Sequence, residues 1–276
     1  MAEKIVINKL GVDAKARVKY AQARRDATTY EPVKPKVQMG FIHNNVDCIG
    51  CRACEIACKD KNGLPPGPRF RHVMYTEGGT FPDVFAYKVN MSCNHCAEPA
   101  CLPTCPTGAI WKRADNGVVD IDSTLCIGCR RCQAACPFGA PQYDPNENIV
   151  KKCNMCIDEQ EAGRKPYCVM ACMMRVLDIG PIDQLRAGTY DTKAMVKGKD
   201  VPVRQVKHMA SPLLTDPSIV FIAHPQGRVD TPSEDGCIPV MGTSNNVPCT
   251  LPVRGDIDDA PPSAAASDVD VSKVTS

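Results

Sequence analysis

An α+β fold of short strands and helices, arranged as two interleaved modules with extended N- and C-terminal arms, is predicted for this 276-residue chain. Three observations predict it. Sixteen of the eighteen cysteines fall into four blocks of four. Short runs of alternating hydrophobicity lie between the blocks, bounded by Gly, Pro, Asn or Asp. Aromatic residues make up only 5% of the chain, with Trp111 its single tryptophan, so the conventional apolar core must be thin.

The blocks are Cys48, Cys51, Cys54, Cys58; Cys93, Cys96, Cys101, Cys105; Cys126, Cys129, Cys132, Cys136; and Cys153, Cys156, Cys168, Cys172. The first and third read C-x2-C-x2-C-x3-C, the run that ligates 4Fe–4S clusters in two-cluster ferredoxins. The second reads C-x2-C-x4-C-x3-C, and the fourth has an eleven-residue insert between its pairs. A short loop that curls around a compact cube delivers three sulfurs to three irons, and thiolate is the soft donor such a group prefers. Sixteen thiolates at four per cluster imply four 4Fe–4S clusters, with iron bound by all sixteen cysteines.

Other uses of cysteine fit less well. Disulfide frameworks belong to small secreted chains. This chain is long, shows no secretory signal, and spaces its triplets too tightly to pair among themselves. Structural zinc takes two C-x2-C pairs, which only the fourth block resembles, and leaves the middle cysteine of the first and third without a role. A catalytic C-x-x-C pair does not explain the recurrence.

Taken in order, residues 1–38 read as a basic helical extension and linker. Asp13 caps a stripe of Val12, Ala16, Tyr20, Ala23 and Ala27, and Glu31-Pro32-Val33-Lys34-Pro35 ends it. Arg24-Arg25 is followed by Asp26-Ala27-Thr28-Thr29, not by the apolar stretch that an export signal requires. Met39–His43 and Phe85–Met91 read as strands leading into cysteine blocks. Ala109–Arg113 and Val118–Ile121 flank Asp115-Asn116-Gly117, a hairpin signal. Short helices are expected after the third cysteine of each block, as in Cys132–Cys136. The longest apolar run, Ser218–Ala223, is strand-sized, so no direct membrane span is expected. From Ala223 onward the chain is rich in Pro, Asp, Ser and Gly, and its last residues are expected to be disordered. Residues 210–255 are expected to lie extended against a partner. A net charge of +2 gives no case for nucleic acid.

Pro106 and Pro137 follow Cys105 and Cys136, and each pushes the cysteine before it into an extended conformation. That suits the rule that the fourth cysteine of such a run ligates the other cluster of a pair. Blocks two and three then form an inner module around 85–145. Blocks one and four, which lack the proline, form an outer module from 39–84 with 146–185. One inner cluster takes Cys93, Cys96, Cys101 and Cys136, and its mate Cys105, Cys126, Cys129 and Cys132. One outer cluster takes Cys48, Cys51, Cys54 and Cys172, and its mate Cys58, Cys153, Cys156 and Cys168. The alternative, with each block holding its own cluster, stays open on spacing alone.

Over residues 40–185 this order resembles the four-cluster electron-transfer subunits of the molybdopterin oxidoreductases, of the dimethyl sulfoxide reductase type. The resemblance rests on Cys48-Ile-Gly-Cys-Arg-Ala-Cys-Glu-Ile-Ala-Cys58, Cys93-Asn-His-Cys-Ala-Glu-Pro-Ala-Cys101, Cys126-Ile-Gly-Cys-Arg-Arg-Cys-Gln-Ala-Ala-Cys136 and Lys152-Cys-Asn-Met-Cys156. It implies cross-ligated clusters and a non-catalytic role: passing single electrons between a quinone-linked integral membrane anchor and a large molybdopterin-containing catalytic subunit. It also implies a peripheral position at the membrane, with the outer, periplasmic side favoured. Residues 186–276 would form a partner-contacting tail. The competing functional readings are an equivalent subunit of another redox complex, such as a hydrogenase, and a free-standing polyferredoxin shuttle.

Arg52, Lys59, Lys61, Arg130, Arg131, Lys151 and Lys152 lie in or beside the blocks. Positive charge there favours a reduced cluster, although a solvated surface role is the bland reading for each. Gly50 and Gly128 allow close backbone approach. His95 is expected to hydrogen-bond a sulfide or a partner chain. Cys237 and Cys249 read as free thiols.

Overall fold

The computed structural model describes residues 34–195, 200–207 and 209–229. Strand β1 (Met39–Asn44) leads into the first cysteine block, and helix α1 (Ala53–Lys61) carries that block's last two cysteines. A long hairpin follows, β2 (Arg71–Thr80) with β3 (Asp83–Ser92), in register from Arg71 opposite Ser92 to Thr80 opposite Asp83. Beyond the second block, β4 (Ile110–Lys112) pairs antiparallel with β5 (Val119–Ile121). The third block holds α2 (Arg131–Ala135), and β6 (Gln142–Asp144) pairs antiparallel with β7 (Ile149–Lys151) before the fourth. There α3 (Ile157–Glu161) follows Cys156, and α4 (Tyr167–Met170) contains Cys168. Strand β8 (Leu177–Pro181), helix α5 (Ile182–Arg186), β9 (Gln205–Val206), β10 (Ile219–Ile222) and β11 (Arg228–Val229) complete the order, with β9 and β11 antiparallel.

The largest sheet closes the ends of this region on each other. β1 lies at its centre, parallel to β10 and antiparallel to β8. Side chains alternate across a strand, and here both faces are covered. Phe41, Ile219 and Phe221 enter the main core with Tyr87, Met91, Phe138, Met155 and Leu177. Ile42, Val220 and Ile222 enter a smaller one with Ile182 and Leu185. A third cluster gathers Leu102, Ile110, Val119 and Val150 beside Cys101 and Cys132. The first two cores explain why Ile219–Ile222 is apolar without a break.

The hairpin expected around Asn116-Gly117 is present with a longer loop. Arg113 N–H donates to Val118 O at 2.9 Å, and Gly117 N–H to Arg113 O at 3.2 Å. Gly117 takes φ +71°, and Gln38 packs where its side chain would stand. The stretch 200–229, expected in a partner-contacting tail, packs into the main body instead. Val203, Val206, Met209, Phe221 and Ala223 are buried in its core because the apolar residues of β10 find cover against β1. The expected N-terminal helix, the remainder of the tail, His208, Cys237 and Cys249 lie outside the described residues.

Gly40, on the central strand, faces the backbone of the segment entering β10. A Cβ there would stand 2.6 Å from Ser218 O and 2.7 Å from Ile182 Cδ1. The same carbonyl accepts from Phe41 N–H at 2.9 Å, so it has nowhere to retreat. Gly40→Val should destabilise the protein by about 1–3 kcal/mol, the usual range for overpacking. A lower urea midpoint of the anaerobically purified protein reports it.

Candidate metal centres

Each block opens with a C-x-x-C loop, and in all four the residue before the second cysteine is left-handed. The φ values are +72° at Gly50, +44° at His95, +67° at Gly128 and +62° at Met155. Arg52 and Arg130 continue the curl at +59° as the N-caps of α1 and α2, and Cys156 does so at +48° before α3. Backbones curled in this way turn N–H groups toward a common anion or sulfur. Met155 N–H points at Cys153 Sγ at 3.3 Å, Val150 N–H at Cys126 Sγ at 3.4 Å, and Ala140 N–H at Cys136 Sγ at 3.5 Å. Glycine identified two of these positions in the sequence. The equivalent place in the other blocks would have identified His95 and Met155, which hold the left-handed conformation at a cost in strain.

All sixteen block cysteines are free thiols. Cys93, Cys96, Cys101 and Cys136 line one cavity, and Cys105, Cys126, Cys129 and Cys132 line a second. The remaining eight are brought together by the packing of α1 and α4. Cys48 has Cys172 and Cys51 as its electrostatic neighbours, and Cys54 has Cys168 and Cys172. Cys58 neighbours Cys168, Cys156 and Cys54, while Cys153 neighbours Cys58, Cys93 and Cys168. Thiols from the first and fourth blocks therefore face each other, as do those from the second and third. Cys51 and Cys129 are the exposed members of the sixteen.

Burial dominates the chemistry of these thiols. It pushes Cys54 and Cys136 up to about 11, and Cys58 and Cys132 up to about 12. Cys101 and Cys153 move upward as well, burial again being the main cause. At Cys105 burial also raises the value, but backbone N–H groups of Ile110, Thr107 and Ala109 reverse it, and the net direction is down. Thiols of this kind release their protons when a metal takes the proton's place.

The donor set fits a polynuclear iron–sulfur group. Eight of the sulfurs line two cavities, four to each, an arrangement suited to a group larger than a single ion. Asn94 lines the Cys93 cavity, is buried, and leaves both polar atoms of its amide without a hydrogen-bond partner among the described residues. An amide N–H in that position suits an inorganic sulfide.

The cations divide into two kinds. Arg52 stacks on Tyr75 and approaches Glu55, Arg130 stacks on Tyr143, and Lys61 pairs with Asp158. Lys59 donates to Pro65 O and Pro68 O, and Lys151 to Asp144. Lys152, by contrast, is buried; it donates to Val119 O and Cys153 O and lines the Cys93 cavity. The surface reading does not hold for that residue. His95 is fully buried, which removes contact with a partner chain. Its Nδ1 accepts from Val119 N–H at 3.0 Å, and burial, then Lys152, holds its pKa well below the usual histidine range.

Comparison with known proteins agrees with this chemistry. Residues 84–182 match the family model described as a 4Fe-4S dicluster domain. The chain is 45% identical over 166 residues to the B component of anaerobic dimethyl sulfoxide reductase from Escherichia coli (strain K12), covering 57% of this chain and 80% of that protein. It is 44% identical over 156 residues to the B component of sulfite dehydrogenase from Allochromatium vinosum, covering 49% and 65%. Protein NrfC of E. coli is 38% identical over 149 residues, covering 53% and 67%.

Gly128 is the loop position least able to accept a side chain. Its φ is left-handed, and a Cβ would stand 2.3 Å from the backbone oxygen of Asn148. At Gly50 the obstruction is the end of the Tyr75 side chain, whose hydroxyl donates to Gly50 O, and not backbone. Gly128→Val should cost about 1–2 kcal/mol in backbone conformation alone, besides the clash. Iron per chain after anaerobic purification should fall, and by less in Gly50→Ala.

Proposed function

Because the protein belongs to the family of iron–sulfur subunits that includes the B component of anaerobic dimethyl sulfoxide reductase, we propose that it is a four-cluster electron conduit within a larger oxidoreductase. The observation that supports this reading is that thiols of the second and third blocks line two cavities with four cysteines each, while those of the first and fourth blocks neighbour one another. The ligand sets are Cys105, Cys126, Cys129, Cys132; Cys93, Cys96, Cys101, Cys136; Cys58, Cys153, Cys156, Cys168; and Cys48, Cys51, Cys54, Cys172. Bound 4Fe–4S clusters would supply one-electron carriers. The chain's own residues position the thiolates, direct N–H groups at sulfur, and exclude water with Leu102, Ile110, Phe138 and Val150.

The sets follow one another in space. Cys93 neighbours Cys153, and Cys58 neighbours Cys54, which links the second, third and fourth of these sets. The first joins the second through the short segments Cys101–Cys105 and Cys132–Cys136. The exposed thiols Cys129 and Cys51 thus fall in the two terminal sets, beside exposed Ile127 and Ile49. We assign these ends to electron entry and exit, one facing a molybdopterin-containing catalytic subunit and the other a quinone-linked membrane anchor. Interleaved modules, inner 85–145 and outer 39–84 with 146–185, follow from the same ligand sets. Among the described residues no helix is long and apolar enough to cross a membrane. In this reading the anchor holds the protein at the membrane, on the outer, periplasmic side.

Anaerobically purified protein should contain about sixteen irons and sixteen sulfides per chain, four of each per cluster, and show reducible paramagnetic centres. Far fewer would overturn the cluster count. Purified at native abundance, it should come with a large molybdopterin-bearing partner; a persistent monomer would overturn the conduit role. Protease treatment of intact spheroplasts reports the side of the membrane.

A further inference from the structure

Arg71, at the start of β2, is a guanidinium with 1% of its surface exposed. Among the described residues no carboxylate is paired with it. Its Nη1 donates to Asn90 Oδ1 at 2.9 Å, its Nη2 to Ser92 Oγ at 3.0 Å, and its plane lies over the Phe41 ring at 4.5 Å. All of these partners are neutral. The thiols that interact with its charge are Cys168, Cys153, Cys54 and Cys58, and the buried, neutral imidazoles of His43 and His95 also feel it. A buried, unpaired arginine is strongly unfavourable, and arginine does not escape by losing its proton. Its counter-charge must come from whatever those four thiols hold.

Resting on the four-cluster reading, we infer that Arg71 is a positioning residue that offsets the negative charge of the two outer clusters and raises their reduction potentials. A four-thiolate cubane is negatively charged in both redox states, and reduction adds one electron to it. A fixed cation between two such groups stabilises the reduced form of each, and no proton moves. Asn90 extends the effect: while its Oδ1 accepts from Arg71, its Nδ2 donates to Cys54 Sγ at 3.1 Å. The guanidinium polarises this amide toward the sulfur, so one cluster feels the charge both through space and through a hydrogen bond. Lys152 interacts with Cys93, Cys101 and Cys153, but it has an anionic neighbour in Asp120. Arg71 is the uncompensated charge of the two.

The test is potentiometric titration, followed by electron paramagnetic resonance, of the full complex carrying the wild-type protein, Arg71→Met, Arg71→Lys or Asn90→Leu. In Arg71→Met, the reduced-to-oxidised ratio of the two outer clusters at a fixed potential should fall at least tenfold, about 59 mV for one electron. The inner pair should move less, and Arg71→Lys should recover most of the loss. Asn90→Leu should lower the Cys54 cluster alone. Full cluster content in Arg71→Met with unmoved potentials, or an equal shift of all four, overturns the inference. If Arg71→Met fails to assemble its clusters while Arg71→Lys succeeds, the requirement for charge stands. If both fail, the residue serves packing and the inference falls. Wild-type iron content below the full complement would instead count against the cluster reading, independently of any variant.

Discussion

Sulfur atoms from segments as distant as Cys48 and Cys172 must face one another, and the rest of the architecture follows from that constraint. No short element meets it alone. The central sheet meets it at one end, where β1 delivers the first block and β8 removes the chain from the fourth. The packing of α1 on α4 meets it at the other end. The small hairpins β4–β5 and β6–β7 act as spacers, returning the chain after each block so that the next loop opens onto the same interior. A fold with few aromatic residues manages this because cysteine is part of its core: Cys54, Cys58, Cys93, Cys153, Cys168 and Cys172 lie in the main apolar cluster.

The same burial ties folding to metal. Thiols with pKa values raised to about 11 or 12 do not ionise at neutral pH on their own. They contribute as modest apolar groups; on the proposed ligation, iron would displace their protons and each would become a covalent link between segments. Ligation free energy is then folding free energy, as in other small metalloprotein domains. The left-handed loop residues belong to this balance. The strain held at His95 and Met155 persists because the surrounding ligand geometry over-determines it.

Sequence exposed what is local and periodic. The four blocks, β1, β4, β5 and the helix within the third block are all readable because a few neighbouring residues specify them. The strand Phe85–Met91 was readable too, but its partner β2 was not, since Arg71-His72 opens that strand with charge where an apolar residue would signal burial. β10 read as strand-sized, yet its pairing with β1 spans most of the chain, and no local pattern encodes such a contact. Lys152 illustrates the same limit. Beside a cysteine block it looks like any surface lysine, and only the carbonyls of Val119 and Cys153 show that it is held inside. Arg71 lies 13 residues from the nearest block cysteine in sequence and still reaches the thiols of two blocks.

Arg71 and Lys152, two of the buried cations, therefore impose different fields on the inner and outer halves of the site. Lys152 sits at the junction between them, bound by backbone carbonyls and offset by Asp120, so its influence on the thiols of Cys93 and Cys153 is partly cancelled. Arg71 is held by an amide, a hydroxyl and an aromatic face, none of which carries charge to cancel. A low-dielectric interior weakens neither field as water would. Carriers built from the same ligands differ in potential through exposure, hydrogen bonds to sulfur and nearby charge. One uncompensated cation beside the outer thiols adds to those differences without changing a single ligand.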